Sequence, residues 1–303
     1  MKEILLIDVG GTNVRYAYAT PGEMNLNETN KISLTKMTEF NYLLKDLLKS
    51  GSVKSLVLSV AGPKINGSIS MTNRNFQVSA PKLMSEHQLE ECYLLNDWES
   101  IGYSLITIKN EMINIIKTGK GFTERTLFIG PGTGLGAALV INKSIVVPTE
   151  IGNTTSMTNK ILSNYGISDT SYLTLEDVIS GTAIKNIYSS LSGKETSPEE
   201  VVSLFKQGDE LANKVINGFT ISIAQIASDF ALIYLAGNGI YFAGGLMRTI
   251  FEIMDKDLFL EHFLAEKKDQ HREMLNMIPV GVINTHHTCL YGNLNFYNMN
   301  LRN

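Results

Sequence analysis

Cysteine is scarce in this chain. Cys92 and Cys289 are the only two in 303 residues, too few for a disulfide framework or a cysteine-ligated zinc site, and both are expected to be reduced, buried thiols. An excess of positive charge is also missing. With 26 Lys+Arg against 30 Asp+Glu and a net charge of −4, neither nucleic acid nor an anionic membrane surface is an expected partner. Long hydrophobic runs are missing too. The N-terminal run Ile4-Leu5-Leu6-Ile7 ends at Asp8 and is too short for a signal-peptide core. The longest apolar stretch, residues 221–236, is interrupted by Gln225 and Asp229. It falls short of the roughly 18 uninterrupted residues of a membrane span and reads as a buried amphipathic helix. A cytoplasmic location follows as the expectation. There is no Pro/Ser linker, charge block or low-complexity tract, and 44% apolar with 18% charged residues excludes disorder and fibrous architecture. The length suggests about two domains.

What is present is a set of short apolar strands punctuated by glycine. Residues 3–8 form a buried strand closed by Gly10-Gly11, and 14–19 alternate as a second strand, which makes a hairpin. Residues 38–50 carry a helical period with Thr38 as a plausible N-cap. A strand at 55–62, a hairpin-like 67–73 and a strand ending in Asn96-Asp97 follow, and then a helix over 98–107. A second strand–glycine loop–strand occupies 126–141. From there to about 285 the pattern is mostly helical, clearest at 201–205 and 211–230, with one late strand at 239–243. The echo of strand, glycine loop and strand near residues 4 and 126 suggests two related α/β halves facing a cleft.

The glycine loops carry the first chemistry. DVGGTNVR (8–15) places a carboxylate at a strand end, then two glycines. Backbone N–H groups there can approach an anion closely, and Asp8 can hold a hydrated Mg²⁺. A plain hairpin turn is the alternative. GPGTGLGAALV (130–140) contains Gly132-Thr133-Gly134-Leu135-Gly136-Ala137, a match to the G-x-G-x-x-A dinucleotide fingerprint. That fingerprint needs a helix after the glycines, whereas AALVINKSIVV reads as a strand and a hairpin turn, which argues against a nicotinamide-dependent oxidoreductase. No G-x-x-x-x-G-K-[ST] occurs, so a P-loop is excluded. AGGLM (243–247) follows a strand, and it suits packing on a nucleotide base or ribose as well as a turn that starts a helix. The three together suit a nucleotide held between two lobes.

The sequence resembles the bacterial glucokinase family, within the sugar kinase, actin and heat-shock-chaperone superfamily, over nearly its whole length. Its phosphate loops look like DVGGTNVR (8–15) and GPGTGLG (130–136), and its adenosine turn looks like FAGGL (242–246). Its sugar segments look like SVAGPKINGSISMTN (59–73), LLNDW (94–98), PTEIGN (148–153) and EDVISG (176–181); IPVGVI with a later Gly292 matches its ending. The resemblance implies an α/β, two-lobed actin-like ATPase (ribonuclease H-like) fold. Residues 1–106 plus 290–303 would form a smaller α/β lobe and 107–289 a larger α+β lobe, with a cleft between. It further implies ATP with Mg²⁺, transfer of the γ-phosphate to the 6-hydroxyl of glucose, a place in glycolysis, and a homodimer. The related zinc-bearing sugar kinases and repressors fit poorly, since the chain has neither a Cys cluster nor a helix-turn-helix ahead of residue 3.

Carried over residue by residue, the resemblance implies Asp97 as general base, since a sugar hydroxyl needs a carboxylate to take its proton. An N-cap role for Asp97, ahead of a helix starting at Trp98, is the alternative. Asn73, Asn96, Asp97, Glu150, Asn153 and Glu176 fall on the sugar segments, where paired acids would accept from neighbouring hydroxyls. The alternatives are a turn residue for Asn73 and a first-turn helix acid for Glu176. Asp8, Gly10, Gly11, Thr12, Asn13, Gly132, Thr133, Gly134, Gly244 and Gly245 are the nucleotide candidates, with Asp8 toward Mg²⁺ through water. Arg15 is either a phosphate-steering cation or a solvated charge. The His286-His287 pair lacks a third ligand at metal spacing. One departure stands out: the family reads Glu-Gly-Gly-His where this chain has Glu150-Ile151-Gly152-Asn153. Ile151 is expected to stiffen the backbone and add bulk, and Asn153 to change sugar preference. A kinase for another hexose, or a sugar- and nucleotide-sensing protein without turnover, are the competing functions.

Overall fold

The computed structural model describes residues 3–11, 13–34, 36–71, 76–168 and 171–301. Thr12 and Asn73, both site candidates, lie outside the described residues. Contacts group Met1–Ile108, Val146–Pro148 and Thr285–Asn303 as one unit, and Lys109–Ile145 with Thr149–Asn284 as another.

In chain order the first unit runs β1 (Glu3–Val9), β2 (Asn13–Ala19), β3 (Asn27–Ser33), α1 (Met37–Leu48), β4 (Val53–Val60), β5 (Lys64–Ile65), β6 (Ser68–Ser70), β7 (Gln77–Ser79), α2 (Ala80–His87), β8 (Glu91–Asn96) and α3 (Asp97–Tyr103). The second runs β9 (Ile113–Lys117), β10 (Arg125–Pro131), β11 (Leu135–Ile141), β12 (Ile145–Thr149, of which Val146–Pro148 group with the first unit), α4 (Thr158–Ser163), α5 (Leu175–Val178), α6 (Gly181–Ser192), α7 (Pro198–Lys206), α8 (Glu210–Tyr234), β13 (Gly239–Phe242), α9 (Gly245–Phe251), α10 (Lys256–Leu264), α11 (Asp269–Met277) and β14 (Val280–Ile283). The chain then returns to the first unit as α12 (Thr288–Asn300).

Among the described residues, the first unit's main sheet has the order β3-β2-β1-β4-β8. β1 is antiparallel to β2 and parallel to β4, and β4 is parallel to β8. The unbroken apolar run of β1 has a simple cause: Ile4, Leu5, Leu6 and Ile7 are each 0% exposed because both faces of the strand are covered. Leu5 and Ile7 join Phe40 and Leu44 of α1 in one core, while Ile4 and Leu6 join Leu290, Leu294 and Tyr297 of α12 in another. Each such side chain contributes about 2 kcal/mol by leaving water. α12 also crosses α3 backbone to backbone, since a Cβ at Gly292 would lie 1.7 Å from the Ser100 carbonyl oxygen. Next to it, the buried Asn293 amide donates to Ile7 O at 2.9 Å and accepts from Ser100 Oγ at 2.8 Å, stitching β1 to α3.

The second unit's sheet has the order β12-β11-β10-β13-β14-β9. β10 is antiparallel to β11 and parallel to β13, which is parallel to β14. The residues after the 131–136 loop are therefore a strand, as their β-branched character requires, and the dinucleotide fingerprint has no helix to work with. α8 is long and apolar enough to cross a membrane by length and composition. Its Ile216, Phe219, Ile223 and Ile226 are each 0% exposed within the core of this unit, so the helix is a core helix.

Several local expectations need correction. Thr38 is not an N-cap: α1 begins at Met37, and the N–H of Lys36 donates to Glu39 Oε2 at 3.0 Å. The expected helix over 98–107 begins at Asp97 and ends at Tyr103, giving way to a 3₁₀ turn over Ser104–Ile106. The late strand at 239–243 has a parallel neighbour, β14, inside what reads as a helical region.

Candidate active site

Strand register assembles the first group. Asp8 faces Arg15 across β1–β2 and Ser59 across β1–β4, and residues directly opposite in a sheet share a face. Arg15 Nη1 donates to Asp8 Oδ2 at 3.1 Å, and Ser59 Oγ donates to Oδ1 at 3.4 Å. Asp8 is 6% exposed. Burial pushes its carboxyl above the usual range and the Arg15 guanidinium opposes that rise. Arg15 is thus neither a solvated charge nor a free steering group, but the partner of a buried acid.

Cys289, at the start of α12, joins this group. Its thiol is pushed well above its ordinary pKa by burial first, then by the charges of Asp8 and Asp97, and it hydrogen-bonds the Asp8 carboxylate. Its Sγ also lies 4.0 Å from the Asp97 carbonyl oxygen. Cys92 and Cys289 are both half-buried, not fully buried as expected, and the Cys289 sulfur lies near both carboxylates that the sequence singles out.

Asp97 is the first residue of α3 and is half-buried. It is not the cap: Asn96 Oδ1 accepts from Trp98 N at 2.8 Å and Glu99 N at 3.3 Å, and Glu99 accepts from Asn96 N at 3.2 Å. This capping box fixes the turn that carries Asp97. The remaining polar group of Asn96, its amide N–H, donates to Gly62 O at 2.8 Å. Both polar atoms of the Asn96 side chain thus have partners within the protein, and the residue holds the turn that carries Asp97. Gly10, Gly11 and Asn13 lie at the β1–β2 turn, where Gly10 N donates to Asn13 O at 2.9 Å and Gly11 is exposed.

In the second unit Glu150, Asn153 and Glu176 come together. Burial, then the neighbouring Glu176 charge, raises the Glu150 carboxyl, while a hydrogen bond from the Asn153 side chain lowers it. Glu176, on the single-turn helix α5, accepts from Leu135 N at 3.3 Å. That bond explains Gly134: a Cβ there would sit 2.4 Å from Glu176 Oε2. Gly134 is placed against the acid, not on the cavity described next. Ile151 is 5% exposed and belongs to the core of this unit. The bulk that Ile151 adds therefore goes inward, into that core. Asn153 remains exposed.

Gly132, Thr133 and Gly245 line one cavity of about 460 Å³, a volume within the range of small-ligand pockets. Its other walls were not legible in the sequence. Gly181 and Thr182 open α6, Pro198, Glu199 and Val202 belong to α7, and Leu246 and Thr249 belong to α9. Apolar Pro198, Val202 and Leu246 suit a flat ring, and the hydroxyl and carboxylate groups suit a ribose. Gly244, in a left-handed conformation at φ 106°, starts the turn into α9. AGGLM therefore does both jobs left open by its sequence, a helix-starting turn and a cavity wall.

The Glucokinase family profile matches residues 5–299. The chain belongs to the glucokinase family. A glucokinase of Chelativorans sp. (strain BNC1) is 28% identical over 318 residues, covering 95% of this chain and 89% of the relative. The crystal structure of a glucokinase from an Antarctic psychrotroph has a TM-score of 0.79 at 22% identity, covering 98% of this chain and 99% of its own. A Balamuthia mandrillaris glucokinase solved in complex with glucose has a TM-score of 0.78 at 14% identity, covering 98% and 94%. These likenesses give the glucokinase-family chain its two-domain actin-like ATPase fold.

Proposed function

We propose that the protein transfers the γ-phosphoryl group of ATP to the 6-hydroxyl of glucose or a related hexose, with Asp97 as general base. One arrangement carries this reading: the turn over 132–134 touches a nucleoside-sized cavity through Gly132 and Thr133, and a carboxylate cluster through Gly134. Phosphate donor and polyhydroxyl acceptor would thus meet at a single turn of a family whose members are named for that reaction.

The chemistry assigned to each residue follows from its surroundings. Glu150 and Glu176 accept hydrogen bonds from vicinal hydroxyls, and Asn153 orients Glu150 while offering its own amide. Asp97 takes the proton of the 6-hydroxyl as that oxygen bonds to the γ-phosphorus and the bond to the ADP oxygen breaks. The cap at Asn96 keeps this carboxylate in place through the step. Asp8 is the residue that would hold Mg²⁺ through water. A single, partly neutralised carboxylate fits an ion that keeps several waters and takes its other ligands from phosphates. When bound, Mg²⁺ neutralises charge on the transferring phosphoryl group. A cytoplasmic location and a homodimer accompany the reading on the strength of the family resemblance.

The test is a panel of hexoses with ATP and Mg²⁺, comparing kcat/KM and identifying the product by position of phosphorylation. ATP-dependent transfer to the 6-hydroxyl of at least one hexose is expected. Absence of transfer to every hexose, with nucleotide and sugar both bound, would leave a sensor and overturn the proposal.

A further inference from the structure

The segment that carries Glu176 also grips the glycine turn. Three hydrogen bonds run between residues 176–182 and residues 132–135. Gly181 N donates to Gly132 O at 2.7 Å, Thr182 Oγ1 donates to Thr133 O at 2.8 Å, and Leu135 N donates to Glu176 Oε2 at 3.3 Å. The segment is itself stiff. Ser180 Oγ donates to Glu176 O at 2.7 Å and accepts from Ala183 N at 2.9 Å. Asp177 Oδ2 accepts from Leu173 N at 3.0 Å and from Thr174 N and Oγ1 at 2.9 Å. The fully buried Tyr165 hydroxyl donates to Val178 O at 2.7 Å.

We propose that Thr182 is a positioning residue that makes the glycine turn and the Glu176 carboxylate one mechanical element, so that hexose bound at Glu176 tightens nucleotide held at Gly132–Thr133. The hydroxyl of Thr182 has one proton to donate, and it goes to a carbonyl at the apex of the turn. This fixes the peptide planes on either side, and with them the direction of the N–H groups offered to phosphate. The Glu176 carboxylate acts at the other end of the same turn, where one oxygen already accepts from Leu135 N. A sugar hydroxyl that orders this carboxylate therefore orders the turn. Linkage requires the reverse as well, with nucleotide tightening sugar by the same factor. The inference rests on the function proposed above.

The test uses the full chain. Binding of a non-hydrolysable ATP analogue with Mg²⁺ is measured by calorimetry with and without saturating glucose, for the wild type, Thr182→Val and Thr182→Ser. Thr182 is exposed, and valine keeps its shape, so folding is expected to survive. The wild type should bind the analogue at least about fivefold more tightly with sugar present. Thr182→Val should lower that ratio by about fivefold, the value of one ordinary hydrogen bond, with the glucose Kd measured alone changed less than twofold. Thr182→Ser, which keeps the hydroxyl, should restore the ratio. A wild-type ratio near one, an unchanged ratio in Thr182→Val, or a ratio that Thr182→Ser fails to restore each overturns the coupling, even in an active kinase. A wild type that binds the analogue but phosphorylates no hexose overturns the functional reading and this inference with it.

Discussion

At the residue scale, Asp97 and Asp8 differ in their surroundings. Asp97 is half-buried at the first position of a helix, whereas Asp8 is enclosed against Arg15. Replacing Asp97 with Asn keeps shape and the capping box while removing the proton acceptor. We expect kcat to fall by about 10²–10⁴-fold, with the Kd for nucleotide within twofold, checked by steady-state kinetics and calorimetry. Equal losses in both would assign Asp97 a structural role. The Glu150–Glu176 pair makes a pH prediction. Burial and the neighbouring charge raise the Glu150 carboxyl, so on acidification it takes a proton earlier than an ordinary glutamate. The charged bond to a sugar hydroxyl that we propose for it is intact above that raised pKa and fades as pH falls through it. KM for glucose should therefore rise on the acid side. Glu176→Gln removes the repulsion and should move this acid limb of kcat/KM to lower pH; a limb that stays in place or moves upward would contradict the coupling. Residue identity showed these acids in the sequence, but not their pairing. The reason for glycine at 134 was not legible, because the group that excludes a side chain there is Glu176, forty-two residues away in the chain.

At the element scale, what was legible is what repeats at short range. β1, β4, β10 and β13 announce themselves as apolar runs closed by glycine, β2 as an alternating strand, β11 as an apolar run after a glycine loop, and α8 as a long helical period. β3 is NETNKIS, a polar and mostly exposed edge strand, and no alternation marks it. α12 reads TCLYGNLNFYNMN, where buried asparagines and a glycine hide the apolar face. Its Gly292 and Asn293 serve α3, a partner the local sequence does not reveal. Two substitutions separate holding from binding. Asn96→Ala removes the cap and should cost about 1 kcal/mol of stability, leaving the glucose Kd less affected than Glu150→Gln leaves it. Gly292→Ala forces a methyl group onto the Ser100 carbonyl and should cost about 3 kcal/mol. It should also lower kcat by displacing α3, while nucleotide binding in the second unit stays near wild type. Chemical denaturation with parallel kinetics checks both, and a Gly292→Ala protein of wild-type stability would refute the backbone contact.

At the scale of the whole molecule, the interrupted first unit and the nearly continuous second unit behave differently on truncation. Every strand of the six-stranded sheet lies between residues 109 and 284, as do all residues lining the nucleoside-sized cavity. A fragment of residues 109–284 is expected to unfold cooperatively, by circular dichroism on heating, and to bind a non-hydrolysable ATP analogue more weakly than the full chain. A fragment of residues 1–108 lacks Leu290, Leu294 and Tyr297, so one face of β1 would be bare. It should aggregate or remain unfolded.

The late return of the chain has a consequence for biosynthesis. The strand that bears Asp8 leaves the ribosome long before the helix that covers one of its faces and packs on α3. Throughout translation the nascent N-terminal sheet must stay shielded from neighbouring chains, while residues 109–284 can settle first. A ribosome that stalls before Thr288 would release a polypeptide in which every residue lining the cavity of the second unit is made but β1 has no cover from α12. The uncovered β1 face of such a product would mark it for chaperones and proteases.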